Sequence, residues 1–204
     1  PKRIMRCKSR FAGSFQVVRE TAFGALSRGG MSVGVLVAAM WLVQLANWLC
    51  GYALNQFGIL PRTLSGLPGV LTSPFLHGSF GHTVANTVPL LVLGLLVAMQ
   101  GSRAFAGRVT AIVVITGVCV WLFGRTSYHV GASGLVFGLF GYLLGRMWYL
   151  RSLASLAAAA VAVALYGGLV WGLVPARSIS VESHLFGLLA GILLARIESS
   201  RRGN

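Results

Sequence analysis

The sequence predicts an all-α, polytopic membrane protein built as a bundle of six transmembrane helices. Three observations predict it. The 204 residues are 56% hydrophobic and 10% charged, a balance that excludes an ordinary soluble domain. Six apolar stretches, near 32–54, 82–100, 107–124, 131–150, 153–173 and 182–197, approach the roughly 20 residues per helix that a bilayer core of about 30 Å requires. The basic residues also fall on one side of those stretches. Lys2, Arg3, Arg6, Lys8, Arg10, Arg19, Arg28, Arg103, Arg108, Arg146, Arg151, Arg196, Arg201 and Arg202 occupy one side, and only Arg62, Arg125 and Arg177 the other. Cytoplasmic loops carry the excess of Lys and Arg. Both termini are therefore expected in the cytoplasm, with helices two, four and six entering from outside.

The net charge of +14 does not imply nucleic acid, because the cations lie between apolar segments and not on one face of a soluble fold. The expected domains are a basic cytoplasmic segment 1–31, a six-helix domain 32–197 and a short basic tail 198–204, with no soluble module attached. Phe15, Val18, Ala22, Phe23 and Leu26 allow an interfacial helix in the first segment; the alternative is a disordered basic tail held by anionic lipid. Segment one follows a long basic stretch and no clear A-x-A site follows it, so it is read as a retained helix and not a cleaved signal. Cys7, Cys50 and Cys119 have no metal or redox spacing and are read as packing residues.

The loop over residues 55–81 holds Pro61, Pro68 and Pro74 among many apolar residues. Non-helical backbone at membrane depth must be buried in protein or line water, so this loop is expected partly in the outer leaflet, against the bundle.

Polar side chains inside a membrane are expensive and mark function. Segment two carries His82 and Asn86, four residues apart and so on one helix face. Segment four opens on Ser133, inside Gly131-Ala132-Ser133-Gly134. Segment six places His184 near its start. All three segments enter from the same side, so the four residues are expected at similar depth. Gly134-xxx-Gly138, Gly141-xxx-Gly145 and Gly187-xxx-Gly191 let helix backbones approach closely in lipid. Packing of segments four and six along these glycines would bring Ser133 within reach of His184.

A serine hydroxyl needs a base to become a nucleophile, and imidazole is the usual one near neutral pH. A third, orienting carboxylate is not to hand. The chain contains no Asp; Glu20 is cytoplasmic, Glu198 lies far down the helix, and Glu182 is two residues from His184 and on a different face. The expected machinery is a Ser133–His184 dyad, with the ring held by packing, for instance of Phe137. The free N–H groups at the start of segment four, with the His82 and Asn86 side chains, would receive an oxyanion.

At these residues the sequence resembles the rhomboid family of intramembrane serine proteases. Gly131-Ala132-Ser133-Gly134, His82-xxx-Asn86 and His184-xx-Gly187-xxx-Gly191 stand in the family's order, on helices two, four and six. The resemblance implies a bacterial-type six-helix rhomboid-like bundle with a water-filled cavity open to the outside. It implies Ser133 as nucleophile, His184 as general base, and His82 and Asn86 with the Ser133 N–H at the oxyanion. Gly131, Gly134, Phe137, Gly187 and Gly191 would support them. It further implies transmembrane protein substrates cut near the external face, no cofactor and no metal, and a multi-pass protein of the bacterial plasma membrane. Two departures stand out. The Trp-Arg pair common in the family's first loop is missing, Arg62 being the loop's only charge, and Phe137 stands where Tyr is frequent.

His77 and His129 are read as interfacial hydrogen-bonding residues. A zinc site on His77, His82, His129 and His184 would leave the serine unexplained, since no carboxylate joins them and no HExxH is present. A silent, client-binding relative usually lacks the serine or the histidine, and this chain has both. A transporter is expected to carry charges along an intramembrane pathway, and these helices read as nearly free of them. The oligomeric state is not legible.

Overall fold

A computed structural model describes residues 24, 29–174 and 180–201. The expected interfacial helix on Phe15 to Leu26, Cys7, Arg177 and Arg202 all lie outside the described residues, Gly24 aside. Long helices dominate: α1 (Gly29–Leu49), α3 (Phe80–Met99), α4 (Ser102–Phe123), α5 (Ser133–Leu150), α6 (Leu153–Tyr166) and α7 (Val181–Ser200). A one-turn helix α2 (Gly69–Thr72) lies in the first loop among three 3₁₀ turns, and α6 runs on into a 3₁₀ turn over Gly167–Leu173. Among the described residues there is no strand, only an isolated bridge between Ile59 and His129.

Four helical stretches are long and apolar enough to cross a membrane: Gly29–Leu49, Phe80–Met99, Arg103–Phe123 and Leu153–Leu173. The segments expected at 131–150 and 182–197 form helices but fall short of that measure. Glycines and Arg146 dilute α5, and Glu182, His184, Arg196 and Glu198 dilute α7. α5 can be less apolar because it faces protein; α7 buries only His184, Gly187, Ala190, Gly191 and Ala195 and leaves Leu185, Leu189, Leu193 and Ile197 exposed. From Gly134 to Arg146, α5 is buried at all but Leu144, and it touches α3, α4, α6 and α7.

Glycine makes the α5–α7 seam possible. A Cβ on Gly187 would stand 2.1 Å from the Gly134 carbonyl oxygen, and one on Gly191 would stand 1.9 Å from that of Gly138. The helices meet backbone to backbone, the close approach that small residues permit. The seam runs down from Ser133 and His184, so the packing also sets their separation.

The opposite end of the bundle holds an ion network that corrects the expectation of nearly charge-free helices. Arg108 of α4 is 4% exposed and Arg146 of α5 is 6% exposed. Arg108 donates from Nε and Nη2 to the two Glu198 oxygens at 2.9 and 3.0 Å. The Tyr142 hydroxyl donates to Glu198 Oε2 at 2.7 Å, and Arg146 Nη1 donates to the Tyr142 oxygen at 3.3 Å. Buried charges survive only when paired and hydrogen-bonded. The network also explains why α7 runs past the expected end at 197: its last turn is tied to α4 and α5.

The first loop folds on itself and onto α4. Gly69 lies against the Gly58–Ile59 backbone, Gly66 against Leu60, and Gly117 of α4 against Val70. Arg62, at φ 60, donates from Nη1 to the Gly124 carbonyl at 2.8 Å and from Nη2 to the Thr126 hydroxyl at 3.0 Å. It thus places a cation at the negative end of α4. Trp121 of α4 reaches back, donating from Nε1 to the Thr63 carbonyl at 2.8 Å. The loop has no Trp of its own, but an Arg and a Trp still hold it in place. Phe57, Leu64, Leu67 and Leu71 are exposed on its surface.

Candidate active site

Ser79 caps α3, its hydroxyl accepting the His82 N–H at 3.1 Å, which starts the helix three residues before His82. Asn86 follows one turn on, its Nδ2 donating to the His82 carbonyl at 3.1 Å; the amide keeps a second N–H. Ser133 opens α5 and His184 lies in the first turn of α7. All four side chains line one cavity of about 920 Å³. Tyr128, His129, Phe137, Leu169, Gly172 and Ser180 complete much of its wall.

The turn before Ser133 depends on glycine twice over. Gly131 has φ 117, where side chains strain the backbone. A Cβ there would also stand 2.7 Å from His82 Cε1 and 2.8 Å from Nε2, with Asn86 Nδ2 at 3.8 Å. His82 and Asn86 therefore press on the turn that delivers the serine. The turn's amides are accounted for in order. Gly131 donates to the Ser73 carbonyl at 2.9 Å and Ala132 to His77 Nε2 at 3.3 Å. The next amides, from Ser133 onward, are those that a helix start leaves without intrahelical acceptors. The positive end of the α5 dipole thus lies at the serine, which lines the cavity.

His184 is fixed by two contacts. Its ring stacks on Phe137, with centroids 4.2 Å apart and planes 6° apart. Its Nδ1 lies 2.7 Å from the Gly172 carbonyl oxygen. A carbonyl can only accept, so the neutral ring carries its proton on Nδ1, and Nε2 holds the lone pair. No hydrogen bond joins Ser133 Oγ to this ring among the described residues; such bonds commonly tighten only when substrate is bound. Glu182 points elsewhere, accepting the Arg125 N–H at 3.3 Å and facing its Nε at 3.6 Å.

Two histidines that the sequence left in bland roles brace this site. His129 donates from Nε2 to the Arg125 carbonyl at 3.0 Å, and its Nδ1 accepts from the Ser180 hydroxyl at 2.5 Å. It also exchanges both backbone hydrogen bonds with Ile59, at 3.0 and 2.9 Å. First loop, α5 approach and α7 start are joined there. His77 is fully buried and packs edge-on to His82, with centroids 4.9 Å apart. Asn47 of α1 donates to the His77 carbonyl at 3.2 Å. Among the described residues no three His, Cys, Asp or Glu side chains converge as a metal-holding set.

His77 must be neutral to accept the Ala132 N–H at Nε2. Burial lowers its pKa from 6.5 to about 4, His82 adds to the effect, and the Phe75 carbonyl opposes it without forming a full hydrogen bond. Between those two pH values the unfolded chain binds the proton and the folded chain does not. Stability is therefore retained above about 6.5 and lost as pH falls toward about 4, by on the order of 3 kcal/mol for this group. Thermal unfolding in detergent across that range checks it. His77→Gln offers an oxygen acceptor without titrating, so its pH dependence is expected to be flatter; an equal slope in both proteins would remove His77 as the cause.

The chain is similar to known proteins over most of its length. Residues 65–201 match the model of the Rhomboid domain. An uncharacterized protein of Mycobacterium tuberculosis is 35% identical over 182 residues, covering 84% of this chain and 76% of the relative. A putative rhomboid protease of Bacillus subtilis is 28% identical over 128 residues, covering 62% and 64%. A RHOMBOID-like protein of Arabidopsis thaliana is 30% identical over 134 residues, covering 61% and 32%.

Proposed function

The chain belongs to the rhomboid family of intramembrane proteases, and on that footing we propose that it is a serine endopeptidase that cuts transmembrane-helix substrates near the external membrane face. The observation that carries this reading is the His184 ring. Its Nδ1–H is spent on Gly172, its face is covered by Phe137, and it shares a cavity with Ser133, His82 and Asn86.

Nε2 takes the Ser133 proton as Oγ attacks the substrate carbonyl. The oxyanion is received by N–H groups at the start of α5 and by the His82 and Asn86 side chains. The imidazolium then protonates the leaving amine, and water in the cavity hydrolyses the acyl-enzyme, with His184 again as base. No metal or cofactor enters these steps. The substrate helix must unwind locally to offer a bond, so helix-breaking residues in it favour cleavage, and small residues before the bond suit the glycine-rich turn.

In this reading all six long helices cross the bilayer, with α5 shielded by the others, and the catalytic domain spans 32–197. The basic ends face the cytoplasm of a bacterial-type cell. Phe57, Leu64, Leu67 and Leu71 of the first loop lie in the outer leaflet. Cleavage of a reconstituted transmembrane substrate in liposomes tests the activity. Asn86→Ala should lower the rate by about 10²–10³, the usual contribution of one oxyanion donor; an unchanged rate would take Asn86 out of the site.

A further inference from the structure

A serine–histidine pair normally has a third group that holds the histidine tautomer and steadies the imidazolium. Among the described residues no carboxylate is hydrogen-bonded to His184. Glu182 is engaged with Arg125, and Glu198 is bound by Arg108 at the far end of α7. We propose that the Gly172 carbonyl is this positioning group, so that a backbone oxygen on the Gly167–Leu173 turn sets the tautomer and tilt of the base.

The proposal rests on the protease reading and follows from three features. First, the Nδ1–oxygen distance of 2.7 Å is that of a good hydrogen bond, and the acceptor has no other possible role. As Nε2 gains the serine proton, this bond becomes charge-assisted and strengthens. It therefore stabilises the imidazolium as it forms.

Second, a carbonyl does this without burying another charge. A carboxylate at this depth would carry a desolvation cost of several kcal/mol.

Third, the turn is shaped to present that oxygen. A 3₁₀ run of seven residues is long for such a helix and breaks the α-helical ladder of the preceding α6. None of its residues is fully buried. At position 172 a Cβ would stand 2.8 Å from Phe137 Cζ and 3.1 Å from His184 Nδ1. Glycine is thus required not by backbone strain, but because both rings fill the space a side chain would take. At Gly167, on the same turn, a Cβ would meet only Val163 Cγ1, at 3.7 Å.

The test pairs Gly172→Ala with Gly167→Ala, reading kcat and KM on a reconstituted transmembrane substrate and thermal stability. Nitrogen-15 NMR of histidine-labelled protein reads the His184 tautomer, with its signals identified by their loss in His184→Asn. Wild type is expected to show the neutral proton on Nδ1. Gly172→Ala should lose about 10- to 100-fold in kcat with little change in KM, the scale of a small misplacement of a catalytic group, and its ring proton should shift toward Nε2. Gly167→Ala should stay within about twofold of wild type. A wild-type ring protonated on Nε2 overturns the proposal, as does equal activity in all three proteins. So does a Gly172→Ala protein that loses activity with its tautomer unchanged. If Gly172→Ala fails to fold, the wild-type tautomer decides alone. If wild type does not cleave the substrate, the protease reading fails, while the spectrum still reports on the carbonyl.

Discussion

Ser133→Ala is expected to remove turnover, by about 10⁴-fold or more, and to leave the fold intact. The side chain makes no hydrogen bond that holds the helices together, and Ala fits the start of α5 at least as well as Ser. His184→Ala should cost about as much in rate. It also removes one half of the Phe137 stack, so a modest drop in thermal stability should accompany it. Nucleophile and base act as one unit, so the double variant should be little worse than either single one. Cleavage of a transmembrane substrate, with thermal unfolding alongside, checks all three. Turnover that survives in Ser133→Ala would remove the mechanism, because Ser133 is its nucleophile.

The second large effect is structural. Gly191→Ala adds a methyl 1.9 Å from the Gly138 carbonyl oxygen and 2.6 Å from the Tyr142 nitrogen; Gly187→Ala adds one 2.1 Å from the Gly134 oxygen. The atoms met are backbone and cannot rotate away, so α7 must lift off α5 by more than 1 Å to reach ordinary contact. Overpacking of side chains in cores typically costs about 1–3 kcal/mol, and a backbone clash along a whole seam should exceed that. Both variants should melt well below wild type and lose turnover as His184 is drawn away from Ser133. Gly34→Ala and Gly107→Ala are the controls. No atom lies within 4 Å of either added methyl, and Ala is the better helix former by about 1 kcal/mol. Their melting temperatures should hold or rise. If the seam variants behaved like these controls, close α5–α7 packing would not be what holds the site.

These two predictions rest on features of different legibility. The serine, the two histidines and the asparagine could be read because polar residues in apolar segments are conspicuous, and helix direction fixes which of them share a depth. The glycine seam was legible because GxxxG spacing is a helix-face pattern. The Gly172 carbonyl was not, since a backbone oxygen leaves no trace in residue type; three glycines between 167 and 172 were the only hint. The Arg108–Tyr142–Arg146–Glu198 network was missed because each Arg looked like a loop-flanking cation, and Glu198 pairs with Arg108 across 90 residues. His77 reads as a hydrogen-bonding residue, but its partner, the Ala132 backbone amide, has no mark in residue type, and Asn47 was passed over. The first loop is organised by glycines pressed on backbone at Gly58, Gly66 and Gly69, which has no periodicity to read. The two helices that carry Ser133 and His184 are also the ones least marked as membrane spans: burial inside the bundle relieves α5 of an apolar surface, and Glu182, Arg196 and Glu198 break up the apolar run of α7.

The most direct test of the Ser133–His184 dyad is labelling with a fluorophosphonate probe in liposomes, comparing wild type, Ser133→Ala and His184→Ala at matched folded fraction. The dyad predicts a covalent adduct on Ser133 in wild type and none in either variant. A well-folded wild type that takes no label and cuts no transmembrane substrate would contradict it, and would leave the cavity as a place to bind transmembrane helices without cleaving them.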